Sequence, residues 1–223
     1  MNKNLESIKL LLIIQARSGS KRFKNKVLYP IYEIPLIQHV VNRVKKSKKI
    51  TNIVVATSTK KNDDKLIKYL RKNKVNFFRG ELDNVALRLY EAAKFYKKKF
   101  FIRISGDSPL IDYRLIDRAI DIIKNSKNKY DLVTNVFPRT FPQGQSVEII
   151  KTSTLKNNIK EFSKQDKEHV TKYFYGNAKK FSIKNFTFKG TNKIIKLSID
   201  TKKDLENILS KLNKKNFFEY LIK

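Results

Sequence analysis

A loop near the start of the chain combines residue types that bind phosphate. It follows an apolar run at residues 10–14 and Gln15, and it carries small residues and four cations: Ala16, Arg17, Ser18, Gly19, Ser20, Lys21, Arg22 and, shortly after, Lys26. The small residues allow a tight backbone that can offer several N–H groups to one anion. The segment lacks both the GxxxxGK[ST] spacing of a P-loop and the GxGxxG pattern. It predicts a triphosphate-binding loop of another kind, with a solvated basic surface as the alternative.

Two aspartates elsewhere could hold a metal ion. Asp107 lies in SGDSPL, directly after the apolar run FFIRI, and Asp200 lies in SIDTKKDL. Mg²⁺ prefers one or two carboxylates together with substrate phosphates. Alternatively, each aspartate begins a turn or caps a helix, and Asp204 would favour the first helical turn. Two such aspartates facing a basic loop predict a nucleotide–metal site.

The elements that must position these residues alternate along the chain. Short apolar runs predict strands, and stretches with apolar residues three and four positions apart predict helices. This alternation indicates an α/β fold with a mostly parallel sheet flanked by helices. Ligands bind at the carboxyl ends of such strands, where we expect loops 16–26, 57–61, 106–110 and 200–203. The predicted strands are 10–15, 53–58, 75–78, 100–105, 131–135, 146–150, 181–188 and 194–199. The predicted helices are 35–47, 63–72, 84–96, 113–124, 152–161, 167–175 and 201–212. Asn62 or Asp63 is the predicted N-cap of helix 63–72.

The regular alternation of strands and helices changes from about Pro138, where prolines and a glycine mark a turn-rich segment. No repeat or low-complexity linker divides the chain. We therefore expect one domain over residues 1–223, with an inserted or protruding portion at about 138–190 that provides sugar specificity or dimer contacts.

Composition limits the function classes. The chain has 223 residues, is 40% hydrophobic and contains no cysteine, which excludes disulfide scaffolds and thiol nucleophiles. Its longest apolar run, 10–14, is too short for a membrane helix, and we expect a cytoplasmic protein. The net charge is +30, but 40 of the 50 basic residues are lysine and they are spread along the chain. Proteins that recognise nucleic acid favour arginine, so we interpret the charge as compositional drift or as attraction of an anionic partner.

The ordered set of motifs resembles the cytidylyltransferases that activate acidic sugars. These include CMP-ketodeoxyoctonate and CMP-sialic acid synthetases, and the likeness is closest to the spore-coat polysaccharide branch. The basic loop, SGDSPL and SIDTKKDL carry the resemblance, and residues 54–58 (VVATS), 78–93, 146–150 (SVEII) and 166–171 (DKEHVT) follow in order. It spans about residues 10–212. It implies a sheet of the nucleotide-diphosphate-sugar transferase (GT-A/Rossmann-like) type, CTP and a small acidic sugar as substrates, Mg²⁺ as cofactor, and a homodimer.

The resemblance also assigns roles to residues. It implies that Arg17, Arg22, Lys26, Asp107 and Asp200 are catalytic, and that the two aspartates bind Mg²⁺. The implied nucleotide-binding residues are Gln15, Ala16, Arg17, Ser18, Gly19, Ser20, Arg22, Lys26, Thr57, Ser58, Arg88, Gly106 and Asp107. The implied sugar-binding residues are Gln145, Glu148, Glu168 and His169.

The sequence departs from the family pattern at two places. Ser146 replaces the usual acidic residue before Val-Glu, and Phe23-Lys24-Asn25 replaces a proline-containing turn. Two alternatives remain open: another nucleotidyltransferase or a glycosyltransferase on a similar sheet, and a non-catalytic nucleic-acid-binding protein.

Overall fold

A computed structural model describes residues 10–20, 22–126, 129–188 and 196–222. In these residues the strands are β1 (Leu10–Gln15), β2 (Pro30–Ile31), β3 (Ile34–Pro35), β4 (Ile50–Ser58), β5 (Asn76–Gly80), β6 (Phe100–Ser105), β7 (Leu132–Thr134), β8 (Glu148–Lys151) and β9 (Ile183–Asn185). The α-helices are α1 (Leu36–Val44), α2 (Asp64–Lys72), α3 (Val85–Phe95), α4 (Tyr113–Asn125), α5 (Thr152–Asn158), α6 (Lys164–His169), α7 (Lys172–Gly176), α8 (Lys202–Leu209) and α9 (Lys214–Glu219).

Seven of these strands form one sheet, in the order β5-β4-β1-β6-β8-β7-β9. Strands β5, β4, β1 and β6 are parallel, and β7 pairs with β9 in parallel. Strand β8 is antiparallel to both of its neighbours, β6 and β7. The prediction of a mostly parallel mixed sheet flanked by helices is therefore confirmed.

The central strand β1 shows why helices cover both faces. Its apolar residues are fully buried, and alternate side chains point to opposite faces. Leu10, Leu12 and Ile14 pack into the core beneath α1 and α4, whereas Leu11 and Ile13 pack with α3 and α5. Each buried leucine or isoleucine contributes roughly 1.5–3 kcal/mol by leaving water. Because both faces of β1 are buried, its polar residue, Gln15, lies at its carboxyl end.

The C-terminal segment packs back onto α1 through one buried cation. The Arg43 guanidinium donates to the Phe217 carbonyl at 2.6 Å and to the Tyr220 carbonyl. Burial lowers the pKa of Arg43. Sequence patterns predict neither α9 nor the β2–β3 hairpin, because both are short and lack a distinctive period.

Two predicted elements were wrong in the described residues. Residues 196–199 of the predicted strand 194–199 do not join the sheet, and residues 194–195 lie outside the described part. The predicted helix 167–175 is divided at Val170, whose φ of 20° ends α6 before α7 begins. Buried Val170 belongs to the core beside α3, so tertiary packing prevails over the helical pattern. No helix in the described residues is long and apolar enough to cross a membrane.

Candidate active site

The loop after β1 is anchored at Ser18 and open beyond it. The Ser18 N–H donates to Asp63 Oδ1 at 2.6 Å, and its carbonyl accepts from the Asn25 N–H at 3.2 Å. Gly19 is exposed, and a Cβ added there would meet no atom within 4 Å. Lys21 lies outside the described residues. The anchored loop thus leaves residues 19, 20 and 22 in contact with solvent.

Asp63 organises this edge of the sheet. Its second carboxylate oxygen accepts from the Ser58 N–H at 3.1 Å and from the Ser58 hydroxyl. Burial opposes its charge, but the hydrogen bonds from Ser58 and Ser18 outweigh burial and lower the pKa of Asp63. Asp63 occupies the predicted N-cap position of α2, but it makes no side-chain cap hydrogen bond, because its carboxylate instead links the loops after β1 and β4.

Lys26 joins the two aspartates predicted to bind metal. Its Nζ lies 3.3 Å from Asp107 Oδ2, 3.3 Å from Asp200 Oδ1 and 2.7 Å from the Ile199 carbonyl oxygen. The Lys26 side chain is 11% exposed. Arg22 Nη2 also reaches Asp200 Oδ1 at 3.2 Å. The structure therefore brings Arg22, Lys26, Asp107 and Asp200 together.

Asp200 reaches this cluster although it does not end a strand of the sheet. The Ile199 N–H donates to the Asp107 carbonyl at 2.9 Å, which fixes the two segments side by side. Asp204 accepts from the N–H groups of Asp200 and Thr201, each at 2.9 Å, in a capping box at the start of α8. Burial opposes the charge of Asp200, but Lys196 and Lys26 outweigh it and lower the pKa of Asp200.

The donor set at this cluster fits Mg²⁺. Two carboxylates converge on the Lys26 ammonium, and their side chains remain 23% and 25% exposed, so water and substrate oxygens can reach them. Across the described residues, no group of three or more histidine, aspartate or glutamate side chains forms a closed metal site. Asp107 and Asp200 are the carboxylates at this cluster that could hold Mg²⁺.

A cavity of about 380 Å³ opens at the carboxyl end of β6, where its lining residue Ser105 lies two residues before Asp107. We call it the acceptor cavity, for the role that we propose for it. It is lined by Arg103, Ser105, Val136, Arg139, Ser146, Glu148, His169, Thr171, Lys172 and Tyr175.

A buried ion pair lies in the acceptor cavity. Arg103 and Glu148 are direct partners in the β6–β8 pairing, and Arg103 Nη1 donates to Glu148 Oε2. The Tyr175 hydroxyl donates to Glu148 Oε1 at 2.6 Å. Burial opposes the charge of Glu148, but Arg103 and Tyr175 outweigh it and lower the pKa of Glu148. Burial and the Glu148 charge raise the pKa of Tyr175. Glu148 is thus held as an anion.

Arg17 connects the basic loop to the helices beside the acceptor cavity. Its Nη2 lies 2.7 Å from Glu168 Oε1. Arg88 lies beneath, 1% exposed, and donates to the Leu82 carbonyl at 3.3 Å and to the Glu81 carbonyl. Burial and the charge of Arg17 lower the pKa of Arg88 to about 10. Arg88 Nε has no hydrogen-bond partner in the described residues.

Other predicted site residues shape the backbone. The Gly106 N–H donates to the Gln15 carbonyl at 2.8 Å, and a Cβ on Gly106 would lie 2.8 Å from that oxygen and from Ala16 Cβ. Thr57 and Ser58 are fully buried. The close contact at Gly106 keeps the ends of β1 and β6 together.

Of the predicted sugar-binding residues, Glu148 and His169 line the acceptor cavity, Glu168 pairs with Arg17, and Gln145 lies elsewhere. The Gln145 amide accepts from the Asp112 N–H at 2.9 Å and donates to the Leu110 carbonyl at 2.7 Å. Both of its polar atoms are therefore used inside the fold, so we do not retain Gln145 as a sugar contact.

Sequence reasoning missed Arg103, Arg139 and Tyr175 in the cavity. Arg103 carried a usable signal, since a lone arginine within the buried strand FFIRIS needs a partner. Arg139 and Tyr175 carried none, because their segments meet the cavity only through tertiary packing.

Comparisons with known proteins agree on one family. The family model described as "Cytidylyltransferase" matches residues 11–223. The spore coat polysaccharide biosynthesis protein SpsF of Bacillus subtilis is 32% identical over 209 residues, which cover 89% of this chain and 84% of SpsF. An uncharacterized protein of Methanocaldococcus jannaschii is 37% identical over 206 residues, with 89% and 81% covered. A solved cytidylyltransferase of Leptospira borgpetersenii superposes with a TM-score of 0.86 at 31% identity, covering 93% of this chain and 89% of that one.

Proposed function

This chain belongs to the cytidylyltransferase family, and from that premise we propose that it transfers the cytidylyl group of CTP to an acidic sugar. The products are a CMP-sugar and pyrophosphate, for the synthesis of surface polysaccharide or glycan. One observation carries the proposal: the basic loop, two convergent aspartates and a cavity lined by polar groups meet at one edge of the sheet.

The basic loop binds the triphosphate. Arg22 and Lys26 lie beside the two aspartates, and Arg17 lies between the loop and the acceptor side. Open backbone at Gly19 and Ser20 gives phosphate oxygens access to N–H donors. These fixed charges stabilise the negative charge that grows on the leaving pyrophosphate.

Asp107 and Asp200 hold Mg²⁺ in this proposal. When bound, the ion supplies charge neutralisation at the phosphate oxygens. Lys26 keeps the two carboxylates together in the protein itself, because its ammonium contacts both. The carboxylates therefore require little rearrangement to converge on a cation.

The acceptor lies in the acceptor cavity. Its hydroxyl oxygen attacks the α-phosphorus in line, a new P–O bond forms, and the bond to pyrophosphate breaks with its electron pair on the leaving oxygen. Positioning and charge stabilisation account for most of the rate in such a transfer. His169, exposed on the cavity wall, is the imidazole available to take the hydroxyl proton.

The test is pyrophosphate release from each of the four nucleoside triphosphates with Mg²⁺ and a panel of sugar acids. We expect release with CTP and one sugar acid, and loss of release with EDTA. Release with another triphosphate would overturn the choice of cytidine. No release with any pair, and no CTP-dependent rise in melting temperature, would overturn the proposal, because a ligand of the native state must raise that temperature.

Two further expectations come from the family resemblance alone. We propose a homodimer, which sedimentation equilibrium tests directly. We also propose a cytoplasmic location, which fractionation of the source cells tests.

A further inference from the structure

We propose that Arg103 is a specificity-determining residue that binds an anionic group of the acceptor through its Nη2 group. The inference rests on the proposed function, since it takes the acceptor cavity as the place where the acceptor binds. It adds the residue that selects the acceptor by charge, and it gives Glu148 the role of a counter-ion for Arg103.

The protein fixes the Arg103 guanidinium on two of its three nitrogens. Nε donates to Gln15 Oε1 at 2.8 Å, and Nη1 donates to Glu148. Glu148 is itself held by the Tyr175 hydroxyl, which lies 2.8 Å from Thr134 Oγ1. A guanidinium held in this way cannot rotate without breaking these two charge-assisted hydrogen bonds.

Nη2 is the nitrogen that the fold leaves available. It has no hydrogen-bond partner among the described residues, whereas the Arg103 side chain as a whole is only 15% exposed. Arg103 lines the acceptor cavity. A donor that is already oriented loses little conformational entropy when it binds an acceptor oxygen.

The charges around the cavity favour an anion. Glu148 is the acidic residue among the lining residues, and Arg103 neutralises it. Arg139 donates to the neutral Ser146 hydroxyl at 3.1 Å, and Lys172 donates to the neutral Gln165 amide. Two cations therefore remain without an acidic partner within the described residues, and they attract a carboxylate into the cavity.

The same charges disfavour an ammonium group on the acceptor at this wall. An amine would need a free carboxylate, and Glu148 already accepts from both Arg103 and Tyr175. Ser146 offers Arg139 only a neutral hydroxyl, so Arg139 has no ion-pair partner there. We therefore infer a carboxylate and no ammonium in contact with this wall.

Arginine side-chain NMR provides a direct test, because the chain has only ten arginines. The probe is pyruvate, a 2-keto carboxylate small enough for the cavity, with its uncharged methyl ester as the control ligand. We expect the Nε–Hε signal of Arg103, assigned by its loss in Arg103→Lys, to shift and saturate with pyruvate and not with the ester. Absence of a saturable Arg103 shift, or an equal shift with the ester, would overturn the inference.

Kinetic measurements with the sugar acid that supports turnover distinguish a loss of acceptor binding from a general structural effect of the substitution. Arg103→Lys keeps the positive charge beside Glu148 but removes the second donor edge, so the acceptor KM should rise at least about tenfold while the CTP KM stays unchanged. Arg118→Lys is the matched control, because Arg118 is exposed on α4 and bonds the Thr187 carbonyl outside the cavity. An unchanged acceptor KM in Arg103→Lys would refute the assignment. A pyruvate shift without CTP-dependent turnover of any sugar acid would instead overturn the proposed function and leave the anion site standing.

Discussion

At the scale of single residues, the Lys26 ammonium replaces repulsion between two carboxylates with attraction. Asp107 and Asp200 each lie 3.3 Å from its Nζ. Without this ammonium between them, the two carboxylates would repel each other. The fold therefore holds both carboxylates beside one cation in the protein itself.

Asp107→Asn tests the chemistry at this pair. We expect turnover to fall by more than about 100-fold, since removing even an outer partner of a metal site costs 10–100-fold. The melting temperature should stay close to that of the native protein, because the Asp107 side chain is partly exposed and its partner Lys26 keeps two other contacts. Exposed Asp83→Asn is the control. Full activity in Asp107→Asn would contradict the metal assignment.

Glu148→Gln tests the buried ion pair through pH. The folded pKa of Glu148 lies below its ordinary 4.5, so its stabilisation is complete above that pH and is lost as pH falls through the folded pKa. At pH 7 the substitution leaves Arg103 without its counter-ion and should cost about 3 kcal/mol. Urea unfolding between pH 3 and 7 should show the two proteins converge as the pH falls. A difference independent of pH would count against an ionised Glu148.

At the scale of elements, the loops at the edge of the sheet are positioned by side chains that bond backbone groups. Asp63 links Ser18 to Ser58, and the Ile199–Asp107 hydrogen bond aligns a non-strand segment with the sheet. The positions of these loops therefore depend on a small number of hydrogen bonds.

Asp63→Ala should loosen the phosphate-binding loop. The substitution leaves the buried N–H groups of Ser18 and Ser58 without their partner, which should cost about 2 kcal/mol or more. CTP affinity should fall in a calorimetric titration. Asp64→Ala changes the adjacent exposed carboxylate, which pairs only with Arg79 in the described residues, and should change stability by less than about 1 kcal/mol. Equal effects of the two substitutions would argue against the anchoring role of Asp63.

Gly144→Ala should disturb the segment that carries Asp200. Gly144 has a φ of 92°, and an added Cβ would lie 2.6 Å from the Leu197 and Ser198 backbone. We expect a loss of about 2 kcal/mol or more in unfolding free energy from backbone strain, with a parallel loss of activity. Gly176→Ala, where nothing lies within 4 Å of the new methyl group, should be neutral. A stable, active Gly144→Ala protein would refute this packing argument.

Sequence patterns predicted the bounds of an element correctly where a single pattern, such as an apolar run between polar loops, defines it. Strands β1 and β6 match their predicted bounds, because buried apolar runs next to polar loops define both ends. The segment 196–199 has a similar apolar pattern, but it packs against the loops around Gln143 and Asp107 instead of pairing in the sheet. The spacing of apolar residues predicts that a segment is buried, but it does not predict which other segment it packs against.

The site was predictable to the extent that its residues follow strands directly. Asp107 and the basic loop do so, and the structure brings them together through Lys26. Asp63 resembles an ordinary helix cap in the sequence, and Tyr175 resembles a core aromatic. Their roles depend on distances between segments far apart in the chain, which composition and spacing do not encode.

At the scale of the whole molecule, the net charge of +30 acts on substrates and on the fold together. A positive field attracts anionic substrates, and self-repulsion destabilises the compact state. Both effects are screened over about 8 Å at physiological ionic strength.

Raising salt from 50 to 300 mM should therefore have two opposite effects. The KM for CTP should rise several-fold because attraction weakens, and the melting temperature should rise because self-repulsion is screened. A neutral osmolyte at equal osmolality is the control for the kinetics. A CTP KM that does not change with salt would show that the surface charge plays no part in substrate capture.

The reversed direction of β8 also bears on how such enzymes diversify. Because β8 runs against β6, the segment that enters it, residues 135–147, arrives at the edge of the sheet where the parallel strands end. The wall carrying Arg139 and Ser146 is thus one continuous stretch of chain, separate in sequence from the nucleotide loops. A single exchange of genetic material across this stretch can replace that wall of the acceptor cavity and leave the phosphate machinery intact. Relatives that share one chemistry can in this way come to serve different glycans.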